Sequence, residues 1–198
     1  MHIVYFLTYG YSLKTWQDSG NLDRELKFME YLNINFNHTF TLITYGDEDD
    51  ELIVSEYEFI KVLPAYSYIK KSSINLINYF TSLKIPFSIK KLIGNFDLIQ
   101  QNQLHGSWIS ILFKLLTKKP LYTRTGYDMY LFSIFEKKKI YKRFLYYILT
   151  QITIFFTSSY SVTSHSDLEF LKSNFTLNEK KLSLIRNWIE ISNDINLD

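Results

Sequence analysis

The run Thr123-Arg124-Thr125-Gly126-Tyr127-Asp128 places a guanidinium, a phenol and a carboxylate side by side just after an apolar stretch. An arginine there can grip a phosphate in a planar fork, and an aspartate can orient a substrate hydroxyl. The same pair, Arg124 with Asp128, could instead form an ion pair that merely ties a loop. A second candidate is the segment from Tyr9-Gly10-Tyr11 to Ser19-Gly20-Asn21, which joins a strand-like run to a helix-like one. Free backbone N–H groups and the helix dipole at such a junction hold phosphates or sugar hydroxyls, unless the segment is an ordinary connection. His105 lies between a predicted strand and a predicted helix, where it either faces a ligand or makes a structural hydrogen bond. His38 reads as a turn residue. Lys137-Lys138-Lys139, Lys142 and Arg143 precede the aromatic stretch Phe144-Leu145-Tyr146-Tyr147-Ile148-Leu149. Cations beside aromatics suit an anionic bilayer surface, where each adds about 1 kcal/mol; the competing reading is a core helix with a solvated basic start.

Several chemistries are excluded or weakened. The chain has no cysteine, so disulfides, thiolate metal sites and a cysteine nucleophile are absent, and four scattered histidines argue against zinc. No metal is expected. The spacing of glycines matches neither Gly-x-Gly-x-x-Gly nor a Gly-x4-Gly-Lys-Ser/Thr loop, which weakens dinucleotide and simple NTPase readings. A net charge of +2 gives no global case for nucleic acid. The start, Met1 to Leu7, lacks a basic leader and is too short to span a bilayer, so a cytoplasmic protein is expected.

Elements must place these residues. The chain has 198 residues, 46% of them hydrophobic and 18% aromatic, enough for one packed domain of ordinary size. Strands are expected at Ile3 to Thr8, Thr39 to Tyr45, Phe59 to Leu63, Asp97 to Gln101, Leu121 to Thr125, Tyr160 to Thr163 and Leu182 to Arg186. Leu22, Leu26, Met29 and Leu32 form one helical stripe, with Asn21 as its cap and Asp23 and Glu25 at its positive end. The acidic run Asp47 to Glu51 reads as a solvated loop. Helical material is expected from Ser72 to Ile93, interrupted at Pro86, and again around Trp108, Leu112, Leu115 and Leu116. One long helix should run from Ser133 into the Ile148 to Phe155 region, and Ser166 with Glu169 should form a capping box. Strands alternating with helices predict an α/β, Rossmann-like, doubly wound and mostly parallel sheet with helices on both faces. Ligands bind such sheets at the carboxyl ends of the strands, so the loops after Thr8, Tyr45, Gln101, Thr125 and Thr163 should line the cleft.

Five segments distributed along this frame, Gly20-Asn21-Leu22-Asp23-Arg24, Asn37-His38-Thr39-Phe40, Gln103-Leu104-His105-Gly106, Val162-Thr163-Ser164-His165 and Arg186-Asn187-Trp188-Ile189-Glu190, together resemble glycosyltransferase family 4. Gly20-Asn21-Leu22-Asp23-Arg24 is similar to its Gly-Gly-x-Glu-Arg segment, with Asn and Asp in place of the second Gly and the Glu. Asn37-His38-Thr39-Phe40 resembles its Gly-His-x-Val turn. Gln103-Leu104-His105-Gly106 sits where a histidine-containing loop is often found, and Val162-Thr163-Ser164-His165 occupies the place of Val-x-Ser-Glu. Arg186-Asn187-Trp188-Ile189-Glu190 is similar to the Pro-Asn-Trp-Val-Asp signature near the domain junction. The cleft histidine that some related enzymes carry after the Leu121 to Thr125 strand has no counterpart.

Such enzymes have two Rossmann-like domains, with the N-terminal one holding the acceptor and the C-terminal one most of the nucleotide sugar. The resemblance therefore implies that residues 1–190 are the acceptor-side domain, with 191–198 a tail or truncated linker. It implies a retaining glycosyltransferase moving sugar to a glycan or lipid-linked saccharide, with peripheral attachment to the inner face of the membrane. The nucleotide-sugar donor would belong to a missing C-terminal domain or chain, so the chain alone should be inactive. Ser19, Gly20, Asn21, His105, Arg124, Tyr127, Asp128, Ser164 and His165 are then the acceptor or cleft-lining candidates. Two rivals are a noncatalytic membrane-docking subunit that recruits a donor-binding chain, and a small nucleotide-dependent enzyme complete in one sheet.

Overall fold

A computed structural model describes residues 1–188. Seven parallel strands form one sheet: β1 (His2–Phe6), β2 (Thr39–Thr44), β3 (Ile60–Pro64), β4 (Leu98–Asn102), β5 (Leu121–Thr125), β6 (Ser159–Val162) and β7 (Leu182–Leu184). Their order is β3-β2-β1-β4-β5-β6-β7, so the direction of winding reverses between β1 and β4. The expected α/β doubly wound sheet is what the chain forms. The strands β1, β2 and β3 are nearly continuously buried and so need cover on both faces, which the crossover helices supply.

One face carries α1 (Leu13–Asp18), α2 (Leu22–Phe36) and α3 (Asp49–Ile53), whose Leu13, Trp16, Leu22, Leu26 and Met29 pack on Tyr5, Leu7 and Leu42. The other is covered by α4 (Ala65–Tyr68), α6 (Ile85–Ile93), α7 (Ser107–Thr117) and the end of α9 (Ile140–Phe156). There Phe113 lies against Phe6 and stacks on Phe96, with ring centroids 5.5 and 5.4 Å away. α5 (Asn75–Ser82) is tied to this layer by Trp108, whose indole N–H donates to Ser82 Oγ at 2.9 Å. α8 (Met129–Phe135) packs on α9, and α10 (His165–Asn174) on β6 and β7.

Four local expectations change. The long helix from Ser133 is two helices: Lys137 takes φ 50°, and Lys138 N donates to Ser133 O, a Schellman closure of α8. Glycine or asparagine usually marks that position, so a lysine gives no warning. The expected capping box of Ser166 and Glu169 is replaced by a simple cap two residues earlier, where Ser164 Oγ accepts from Asp167 N at 3.1 Å, because Ser164 is the last extended residue after β6. Asn21 does not cap α2; its side chain donates to Ser19 Oγ instead. The acidic run is not a solvated loop throughout: Asp50, 2% exposed, starts α3 from within and accepts from Leu13 N at 2.9 Å, closing the start of α1.

Candidate functional site

At the winding reversal, the ends of β1, β4 and β5 and the start of α2 enclose a polar cleft of about 280 Å³. Thr8 and Tyr11 come from the loop after β1, Asn102 and Gln103 from the end of β4, and Arg124, Gly126 and Tyr127 from β5 and its loop. The α1–α2 side adds Trp16, Asn21, Arg24 and Glu25, and Asn187 closes the rim.

The centre is a carboxylate between two guanidinium groups. Glu25 is 6% exposed, and its Oε1 lies 2.8 Å from Arg24 Nη2 and 3.7 Å from Arg124 Nη1. Arg124 Nη2 also donates to Asn187 Oδ1 at 2.6 Å. Two cations around one carboxylate leave the cleft a net positive charge, suited to a phosphate or to an array of hydroxyls. Gln103, held at φ 65°, accepts from Gly126 N at 3.0 Å through its side chain and so couples the β4 and β5 loops.

Of the sequence-selected residues, Asn21, Arg124 and Tyr127 line this cleft. Ser19 caps α1 through Trp16 O, and Gly20, at φ 69°, makes the turn into α2; both are exposed and outside the cleft lining. Ser164 and His165 begin α10, with Ser164 occupied as its cap and His165 exposed. The alternative of an Arg124–Asp128 ion pair does not form. Arg124 turns to Glu25, while Asp128 is 1% exposed and caps α8, its Oδ1 accepting from Leu131 N at 2.7 Å. Ile189 and Glu190 of the junction segment, like the 191–198 tail, lie outside the described residues.

Glu25 and Arg24, which the sequence offers only as a helix-end charge and as part of a motif, meet in this cleft. Their signal was present: Glu25 falls at the third position after Leu22 and directly before Leu26, inside the apolar stripe. A carboxylate on a buried helical face needs a partner and marks a site.

Burial pushes the Asp128 carboxyl up to about 6, against the pull of the Leu131 N–H and with a further push from Asp167. Its Oδ2 has no hydrogen-bond partner among the described residues. The folded chain thus keeps a proton that the unfolded chain, titrating near 3.8, has already lost. Stability should fall as pH rises through that window, and the deficit should be complete above pH about 6. Asp128→Asn retains the cap and removes the charge. It is expected to stabilise the fold by about 1–2 kcal/mol at neutral pH and to lose that advantage near pH 4. Urea denaturation at both pH values checks this; an equal effect at the two would contradict it.

A second pocket lies across the loop after β1. Tyr9, Gly10, Tyr45, Tyr66, Lys71, Asn75, Asn78, Tyr79 and His105 enclose about 280 Å³. Tyr9 turns into this pocket and Tyr11 into the polar cleft. Gly106, at φ 106°, makes the arrangement possible: a Cβ there would stand 3.1 Å from Tyr9 N and Cβ, and Tyr9 N donates to His105 O at 2.9 Å. His105 therefore lines a pocket, though not the polar cleft. Its ring is edge-on to Tyr9 and Trp108, at 5.6 and 5.2 Å, and burial lowers its pKa, favouring the neutral imidazole. His38 stands at the turn into β2, its ring hydrogen-bonded to Phe36 O. Among the described residues no cluster of three or more acidic or histidine side chains is placed to hold a metal ion.

No protein-family model matches the chain, and no curated protein is significantly similar in sequence. Solved structures do match over nearly its whole length. The lipopolysaccharide outer core galactosyltransferase WaaB, in its apo form, superposes with a TM-score of 0.59 at 12% identity over 98% of this chain. Anabaena Alr3699/HepE in complex with UDP gives 0.57 at 11% identity over 96%, and Acinetobacter baumannii MurG gives 0.51 at 10% over 98%. The chain covers 45–47% of these proteins, so it spans about half their length. All three are GT-B glycosyltransferases, and at such identities the likeness is one of fold. The chain is thus folded as a Rossmann-like domain of the GT-B type, one half of that architecture.

Proposed function

We propose that the chain is the acceptor-binding domain of a retaining glycosyltransferase, which moves sugar from a nucleotide-sugar donor to a glycan or lipid-linked saccharide. The observation that carries the reading is the Arg24–Glu25–Arg124 cluster in a cleft at the winding reversal, where open α/β sheets hold their ligands. The GT-B likeness and the quoted motif residues Arg24 and Asn187, which meet in this cleft, support it. In this role Arg24 and Arg124 hold the polar head of the acceptor, and Gln103 and Tyr127 fix its orientation. A second domain then grips the donor diphosphate and stabilises its departure. Radiolabelled nucleotide sugars with saccharide acceptors should give no robust turnover with this chain alone. Adding a separately expressed donor-binding domain should restore it. Efficient transfer by the chain alone would refute the division of labour.

A membrane-docked mode of action is favoured by a separate observation. Residues 61–158 carry 15 Lys and Arg against three Asp and Glu, whereas residues 1–60 carry three against 11. The near-neutral total hides two oppositely charged parts. The basic part presents Leu76, Phe80, Phe135, Ile140, Phe144 and Phe155 at 61–78% exposure. Among the described residues no helix is long and apolar enough to cross a membrane, so contact would be with the surface of an anionic bilayer. As a docking subunit alone, the chain would bind such a surface without any acceptor in its cleft.

A further inference from the structure

We infer that the aromatic pocket beside the cleft is a subsite for one neutral pyranose ring. Its position as part of an acceptor site rests on the acceptor-side reading above; its chemistry does not. Tyr9, Tyr45 and Tyr79 approach one another with centroids 4.9 and 5.2 Å from Tyr9, and His105 and Tyr66 complete the wall. Aromatic faces are the natural partners of the apolar C–H face of a sugar ring, as they are of other flat apolar surfaces. Polar groups are few. The Tyr45 hydroxyl belongs to a side chain 3% exposed and has no hydrogen-bond partner among the described residues, a cost that a ligand hydroxyl would relieve. The His105 ring makes aromatic contacts, and its neutral form both donates and accepts, as hydroxyl recognition requires.

Other occupants fit less well. Both ends of the Asn78 amide are bonded to Ser72, pinning the segment before α5 and leaving it unavailable. Among the described residues that line the pocket the single cation is Lys71, which sits over the Tyr66 ring at 5.0 Å, and there is no arginine fork. A doubly charged phosphate is therefore poorly served here and better served by Arg24 and Arg124 across the loop. The volume, about 280 Å³, lies just below the roughly 300 Å³ at which small-molecule sites commonly begin, enough for one ring rather than a nucleotide. Because Tyr9 and Tyr11 face opposite sides of the same loop, a saccharide could place one unit in each pocket.

Saturation-transfer NMR on the full chain with methyl glycosides of glucose, galactose, mannose and N-acetylglucosamine tests the assignment. At least one should show saturable transfer to its ring protons with millimolar affinity. Tyr79→Ala, at a 42% exposed position, should weaken that binding by at least about tenfold while the chain stays folded with a cooperative, somewhat lower melting transition. Ile34→Ala, at a 74% exposed position outside both pockets, should leave the binding intact. No saturable response from any glycoside, or a response that Tyr79→Ala does not alter, would overturn the inference. The two readings fail separately: glycoside binding without reconstituted transfer rejects only the function proposed above. Reconstituted transfer with a Tyr79→Ala chain that binds sugar normally rejects only the subsite.

Discussion

Glu25→Ala is expected to lower folding stability by about 3 kcal/mol, more than an ordinary surface substitution would, because it strands two guanidinium groups in the cleft. Arg124 has a side chain only 17% exposed, and losing its carboxylate leaves a cation that water reaches poorly. Arg24 is 38% exposed and recovers solvent more easily, so most of the penalty belongs to Arg124. The comparison of Glu25→Ala with Glu25→Ala/Arg124→Met is decisive. If the penalty is an unpaired buried charge, removing the arginine as well should return a large part of the lost stability. Denaturant unfolding of the two variants reads this out. A loss below about 0.5 kcal/mol for Glu25→Ala, within the range of surface substitutions, would show that the cluster is not held by electrostatics.

Replacing Lys137, Lys139 and Lys142 together by Glu should reduce binding to anionic vesicles by more than about a hundredfold, since each lysine near a charged surface contributes about 1 kcal/mol. All three are exposed, and Lys139 and Lys142 stand at the start of α9, where acidic residues suit the helix dipole. The fold should therefore survive the change. Cosedimentation with phosphatidylglycerol-containing and pure phosphatidylcholine vesicles measures the effect. Equal binding to both vesicle types, or no change on charge reversal, would remove the membrane surface from the account. Phe144→Ser and Phe135→Ser should weaken binding to a smaller degree by deleting apolar contact at 61% and 70% exposed positions.

Much of the frame could be read along the chain. Each predicted strand lies within about two residues of its observed bounds, because short apolar runs between polar turns leave little choice of period. Asn37, in the left-handed conformation, stops α2 as an asparagine at that position should. The missed boundaries have a common cause. Lys137 in a left-handed turn, and Ser164 chosen over Ser166 as a cap, depend on where the neighbouring backbone ends up rather than on residue type. Charge segregation was equally available, yet it disappears in a net sum and emerges only when segments are counted apart.

The residue order by itself determined the alternation of strands and crossover helices, and with it the edge of the sheet where a ligand would sit. Partnership was decided only by folding. Arg124 stands 99 positions from Glu25 but only four from Asp128, yet tertiary packing buries Asp128 as a helix cap and delivers Arg124 to Glu25. Likewise Tyr9, Tyr45 and His105 share a pocket because parallel strands bring successive loops to one edge, and α5 adds Tyr79 to it. Period and polarity are local properties that a chain carries in its order, whereas the cost of burying a charge is settled by whichever distant group arrives to meet it.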